Sequence, residues 1–199
     1  MTTGFDGIRT DWWINGLGPY DGHNERHLLM VLAMTGIPAT YLDVGSGTGA
    51  MVNVARKLGI EAYGVDQLPR PEGWLSQHDL RYPLQLGRRF DLVTCIEVME
   101  HIPVEYEGVA CDSVASHVAE GGILVLTTAL PGQAGAGHVT LQAPVHWRAQ
   151  MYNRGLTYVP SLTLRLSLLW SNMHSPMAYL AANLQVFSNN TPRLASGVD

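Results

Sequence analysis

Residues 40–66 read TYLDVGSGTGAMVNVARKLGIEAYGVD, and the fold follows from this stretch. Residues 40–44 are an apolar strand-like run that ends in a turn with glycine at 45, 47 and 49. Residues 50–58 carry apolar side chains at helical spacing, and Gly59 supplies a C-terminal cap. Residues 61–66 (EAYGVD) return to a strand. Strand, glycine-rich turn, helix and strand in succession point to a mostly parallel sheet covered by helices.

The same alternation continues outward. Strands are expected at 74–77, 90–95 (FDLVTC), 122–128 (GILVLTT), 156–159 and 183–188 (NLQVFS). Helices are expected at 23–34, 104–118, 144–154, where Pro144 starts the first turn, and 161–171. Seven strands and about six helices make a complete α/β, doubly wound inventory. The 199 residues, 46% hydrophobic and 15% charged, suit one core and leave no room for a second ordinary domain. The chain is read as a single domain, with an N-terminal arm and helix at 1–38, a core at 39–188 and a tail at 189–199.

A net charge of -5 argues against a surface that tracks phosphates, so nucleic acid is a poor partner. Cys95 and Cys111 are too few for a disulfide scaffold and sit in apolar runs, which fits a reducing, cytoplasmic setting. The first fifteen residues hold Asp6, Arg9 and Asp11 and no apolar export core. Residues 162–170 (LTLRLSLLW) are too short for a transmembrane segment. They are read as a core helix or a homodimer surface, against an apolar-substrate wall or membrane-surface contact.

The turn at 45–49 lies where backbone N–H groups cradle a ligand at a helix N-terminus. Gly45, Gly47 and Ala50 also satisfy the dinucleotide pattern G-x-G-x-x-G/A. Three details tilt the choice. Asp43 would oppose a pyrophosphate but could receive an ammonium group. Gly49 adds a third alternating glycine. Asp66, at the end of the second strand, can accept both ribose hydroxyls of an adenosine, and His78-Asp79-Leu80 could hold the adenine edge. At these residues the chain resembles the class I S-adenosylmethionine-dependent methyltransferases, from roughly residue 23 to 188. The resemblance implies a Rossmann-like seven-stranded sheet in the order 3-2-1-4-5-7-6 with the last strand antiparallel. It places Asp43 and the glycines beside the methionine part, Asp66 on the ribose and Asp79 on the adenine amino group. The cofactor set it implies is Asp43, Gly45, Ser46, Gly47, Gly49, Asp66, Gln67, Asp79, Leu80 and Cys95.

Residues 95–103 (CIEVMEHIP) follow the fourth strand, at the carboxyl edge where open α/β sheets bind ligands. They look like the E-V-x-E-H signature of a group that includes ubiquinone-pathway O-methyltransferases and small-RNA 2′-O-methyltransferases. Some members bind a divalent ion through the two glutamates and the histidine. Carried over, the ligands are Glu97, Glu100 and His101, with His138 as a fourth, a set suited to Mg, Mn or Zn. The plainer reading has Glu97 bordering the cofactor, Glu100 in a salt bridge and His101 capping the next helix. Gly137-His138-Val139 does not reproduce the H-x-x-H of the small-RNA group, which weighs against RNA ends as substrate.

His138 follows the glycine-rich run 131–137 and reads as a general base, a metal ligand or a hydrogen-bonding loop residue. Trp12, Trp13 and Tyr20 read as a lid over the site or a core plug, with polar groups nearby at Asp21-Gly22-His23-Asn24. His146 and Trp147 read as helix-surface and packing residues. The function expected is methyl transfer to a hydroxyl of a small molecule or glycan, with His138, His101 and Glu97 as catalytic groups. A nucleic-acid or protein methyltransferase and a non-catalytic cofactor-binding subunit are the alternatives. The acidity is concentrated: residues 90–147 hold seven carboxylates and no Lys or Arg, whereas the rest holds twelve basic against ten acidic residues. That suits a sulfonium or metal cation.

Overall fold

A computed structural model describes residues 20–173 and 177–190. The N-terminal aromatics Trp12 and Trp13 lie outside the described residues. The elements run α1 (Asp21–Thr35), β1 (Thr40–Val44), α2 (Ala50–Lys57), β2 (Glu61–Asp66), β3 (Leu75–Gln77), β4 (Phe90–Ile96), α3 (Glu107–Ser116), β5 (Val118–Thr127), α4 (Pro144–Tyr152), β6 (Thr157–Tyr158), α5 (Pro160–Ser171), α6 (Leu180–Asn183) and β7 (Leu184–Ser188). One seven-stranded sheet has the order β3-β2-β1-β4-β5-β7-β6. Strands β1 to β5 pair in parallel, and β7 lies antiparallel between β5 and β6. Architecture, order and antiparallel last strand agree with expectation.

The strands are apolar on both sides because helices cover both faces. Side chains alternate accordingly: Tyr41, Leu92, Val125 and Val186 join a core that includes residues of α1, α2, α5 and α6. Their neighbours Leu42, Val93, Leu124 and Phe187 join the opposite core with residues of α3 and α4.

Several boundaries differ from the sequence reading. The helix expected at 104–118 opens with a 3-10 turn at Val104–Tyr106 and ends at Ser116, and Val118 already belongs to β5. The early pairing of Phe90 with Val118 is accommodated by a register shift before Leu92 meets Ile123, with Gly121 at φ 76 in the irregular segment. Asn183, expected in the last strand, instead closes the short helix α6. In the lipophilic run, Leu166 and Trp170 are buried, whereas Leu164 and Leu168 are 61% and 56% exposed. Half of that helix face is therefore core and half is surface. Among the described residues, no helix is long and apolar enough to cross a membrane.

Candidate functional site

The carboxyl ends of β1, β2 and β4 open onto a cavity of about 650 Å³, within the range of about 300–1,000 Å³ usual for small-molecule sites. At one end lies the glycine turn. Gly45, Gly47 and Gly49 all have positive φ, at 78°, 55° and 80°. The turn is held close to the sheet: the Gly45 and Ser46 N–H groups both donate to the Val65 carbonyl, at 2.8 and 3.0 Å. A Cβ at Gly45 would overlap Val98 Cγ2, so this position needs glycine for both space and conformation. Asp66 Oδ2 accepts the Gly47 N–H at 2.8 Å and Oδ1 accepts the Leu68 N–H at 2.9 Å. Burial raises the Asp66 pKa, opposed by those two N–H groups and by Arg70.

Asp43 lies at the bottom of this end. Thr94 Oγ1 donates to Asp43 Oδ1 at 2.6 Å, so the Tyr41 hydroxyl, 2.7 Å from Thr94 Oγ1, is left to donate to Thr94. Burial pushes the Asp43 carboxyl up to about 7, with the Asp66 charge adding to it and the Thr94 and Tyr41 hydroxyls opposing. A nearby cation favours the ionised form of a buried carboxyl so poised, which then gives up its proton to solvent. From α1, Asp21 reaches across to Thr48, whose hydroxyl donates to it at 2.5 Å, and Tyr20 and Asn24 line the cavity.

The other end is acidic and imidazole-rich. Glu97 has φ 53, the left-handed region that a β-carbon disfavours. It is held there by its N–H, which is 3.0 Å from Thr127 Oγ1, and by Asn183 Nδ2, which donates to Glu97 Oε1 at 3.0 Å. Glu100 is completely buried one 3-10 turn later. Its Oε1 accepts the Ala129 N–H at 3.1 Å, and its backbone carbonyl accepts the Val139 and Thr140 N–H groups. The Glu100 pKa is raised to about 9 by burial and then by Glu97. Glu100 thus ties the loop 129–140 to the end of β4 with both main chain and side chain.

That loop presents His138. The Gln133 carbonyl, 3.2 Å from His138 Nδ1, and the Gly137 carbonyl, 2.9 Å from His101 Nδ1, can only accept. Both imidazoles therefore carry their proton on Nδ1 when neutral, and Nε2 holds the lone pair. The two rings stand edge to face with centroids 5.1 Å apart. Gly135 lies so close to the His138 ring that any β-carbon there would overlap it. Burial lowers the His101 pKa. Tyr179 closes the wall, its hydroxyl pushed up to about 12 by burial and then by Glu97, Glu100 and Tyr20.

Of the residues expected at the site, Asp43, Gly45, Ser46, Gly47, Asp66, Gln67, Leu80, Glu97, His101 and His138 line the cavity. Gly49, Asp79, Cys95 and Glu100 are not among its lining. Gly49 packs behind the turn, where a Cβ would meet Leu75 Cδ1 at 2.5 Å. Asp79 faces Arg81, whose Nη2 is 2.6 Å from its carboxylate; burial works against ionisation there, but the guanidinium holds the pKa below the usual value. Cys95 is fully buried in the core, on the same strand face as Val93. No residue of 162–170 lines the cavity. Glu100, His101 and His138 offer ligand atoms within 4.8 Å of one another, a group to which Glu97 does not belong. Sequence reasoning missed Gln133, Met177, Tyr179 and Asn183. Gln133 sits inside the glycine-rich run 131–137, and the last three follow no motif.

A family model described as a methyltransferase domain matches residues 21–168. The ubiquinone biosynthesis O-methyltransferase of Xanthomonas campestris is 30% identical over 142 residues, covering 62% of this chain and 58% of that protein. Its counterpart from Pseudoalteromonas translucida is 28% identical over 117 residues, half of each chain. The chain thus spans little more than half the length of these curated relatives. Among solved structures, the sugar N-methyltransferase KedS8 from Streptoalloteichus aligns with a TM-score of 0.65 at 17% identity, covering 96% of this chain and 99% of that one. An amino pentose methyltransferase from Micromonospora echinaspora aligns with a TM-score of 0.63, also at 17% identity, over 96% of this chain and 99% of that one.

Proposed function

The chain belongs to the methyltransferase domain family, and from that premise we propose that its cavity binds S-adenosylmethionine and transfers the methyl group to a hydroxyl of a small molecule or glycan. The observation that carries this reading is the continuity of the cavity. One void is lined at one end by Gly45, Gly47, Asp66 and Gln67 and at the other by Glu97, His101 and His138. A cofactor with its adenosine on Asp66 and its methionine part over Asp43 would present the sulfonium methyl toward those imidazoles. Methyl transfer from a sulfonium needs alignment of nucleophile, methyl and sulfur, and removal of a proton when the acceptor is a hydroxyl. His138 and His101, each with a lone pair on Nε2, are the bases within the cavity. Asp43, with its pKa near 7, supplies negative charge when the cationic cofactor is present.

Glu100, His101 and His138 also fit a divalent ion. Glu100 Oε2 is buried with no hydrogen-bond partner, and both imidazoles have Nδ1 directed at backbone carbonyls, the usual support for a ligating histidine. When bound, such an ion lowers the pKa of an acceptor hydroxyl. Two imidazoles and one carboxyl favour Zn or Mn over Mg.

A second reading, an amine acceptor, is favoured by the fixed Glu97 carboxylate on the cavity wall near Tyr179. The sugar N-methyltransferase among the structural neighbours is consistent with it. Incubation with methyl-labelled S-adenosylmethionine and a panel of phenolic, sugar and amino-sugar acceptors tests both, with the product bond assigned by NMR. O-methylation that is lost in His138→Ala and His101→Ala supports the first reading. Full turnover in both variants rejects those bases, and exclusive N-methylation selects the second reading.

A further inference from the structure

The glycine turn is gripped by a residue outside the cavity. Gly47 offers its N–H to Asp66 Oδ2 and its carbonyl to Arg70 Nε, both at 2.8 Å. The two peptide groups around the middle glycine are thus held by side chains from the end of β2 and the loop after it. Arg70 stands between Pro69 and Pro71. A residue before proline is restricted to extended conformations, so this bracket limits the backbone of Arg70 before any ligand arrives. The guanidinium is partly buried, and its Nη2 is buried with no hydrogen-bond partner, so its place is set by the Nε bond and by its attraction to Asp66. Arg70 does not line the cavity.

We propose that Arg70 is a positioning residue for cofactor binding, acting through Gly47: it holds the glycine turn in the conformation that receives the ligand while its charge keeps Asp66 company. The inference rests on the reading that this cavity binds S-adenosylmethionine. Chemistry favours arginine over lysine here. Only a guanidinium presents a side-on Nε–H to a carbonyl while keeping its charge toward the neighbouring carboxylate. A loosened Gly47 exposes the turn to the conformational freedom that glycine otherwise has, and that freedom has to be lost again on binding.

The test is calorimetric titration of the full chain with S-adenosylhomocysteine, alongside thermal unfolding of the ligand-free protein. Loss of one charge-assisted hydrogen bond predicts an affinity roughly ten- to hundredfold weaker in Arg70→Ala. Arg70→Lys is expected to recover less than half of that loss on a logarithmic scale. Pro71→Gly, which frees the backbone but keeps the guanidinium, should weaken binding by a smaller factor. Unfolding midpoints of the variants should stay close to the parent. If Arg70→Ala fails to fold, Arg70→Lys and Pro71→Gly carry the test. Equal affinity in all the variants, or weaker binding that merely tracks lower midpoints and is restored by lysine, overturns the proposal. Absence of binding by the parent chain overturns the cofactor reading itself, a different outcome.

Discussion

At one end of the cavity most ligand-facing groups come from residues 43–67, one continuous βαβ segment, joined by the start of α1 and by His78 and Leu80 after β3; at the other they come from 97–101, from 133–138 and from 177–183. The first end is shaped by backbone conformation, with three glycines at positive φ packed against Val65, Leu75 and Val98. The second is shaped by side-chain hydrogen bonds between distant segments: Asn183 to Glu97, Ala129 to Glu100, Gly137 to His101. A backbone-built site tolerates little change at a few positions. A site assembled from side chains spreads its dependence over many, each contributing modestly.

Substitutions can break this contrast, beginning with the largest effect. Gly45→Ala forces a β-carbon into Val98 at φ 78. Strain and overpacking of about 1–3 kcal/mol each predict a loss of S-adenosylhomocysteine affinity of roughly a hundredfold. Near-normal titration of that variant would remove the claim that backbone shape governs this end.

Asp43 tests the same end by pH. Its carboxyl is raised from 3.8 to about 7 in the folded protein, so between those values the native state holds a proton that the unfolded chain releases. This group's contribution to the stability of the ligand-free protein is full below pH 3.8 and lost as pH rises through 7, by about a few kcal/mol. Asp43→Asn should flatten the urea-midpoint profile across that window. Affinity for S-adenosylmethionine, which carries positive charge, should rise over the same window in the parent and stay level in the variant.

At the acceptor end, Glu100→Ala leaves the Ala129 N–H without a partner and should cost about 1–3 kcal/mol in urea unfolding. Glu100→Gln keeps a neutral acceptor in place and should cost clearly less. Neither should change S-adenosylhomocysteine affinity more than about threefold, since no contact to the glycine turn is lost. Asn183→Ala should raise the acceptor KM several-fold, by about 1 kcal/mol for one hydrogen bond, and leave cofactor affinity intact. The smallest effect is expected at Asp79. Its carboxylate is engaged by Arg81 in a partly exposed pair, which predicts a change of about twofold or less in cofactor affinity for Asp79→Ala. A large loss there would mean that Asp79 leaves Arg81 for the adenine.

The same contrast explains what could be read from the sequence. The run 40–66 announces strand, turn, helix and strand through local spacing, and the groups that face the cavity there lie within it. The resemblance implies Cys95 at the cofactor, whereas strand alternation puts its side chain with Val93 in the core against α3 and α4. The resemblance places Asp79 on the adenine, and in the folded chain its carboxylate is engaged by Arg81, two positions on. Glu97 gives no sequence sign of a left-handed backbone, because that conformation is imposed by Thr127 and Asn183 from elsewhere in the chain. Tyr179 and Asn183 reach the site only because the chain arrives there just before β7.

The place of β7 between β5 and β6 also sets an order of events on the ribosome. Among the described residues β6 pairs with β7 alone, so residues 157–158 join the sheet only once 184–188 have been made. Until then β5 is an open edge, a row of unpaired amides and carbonyls flanked by apolar side chains, of the kind that recruits other chains. The glycine turn and its βαβ unit can form long before this. Asn183 arrives with the closing strand, so Glu97 receives its clamp only as that edge is sealed.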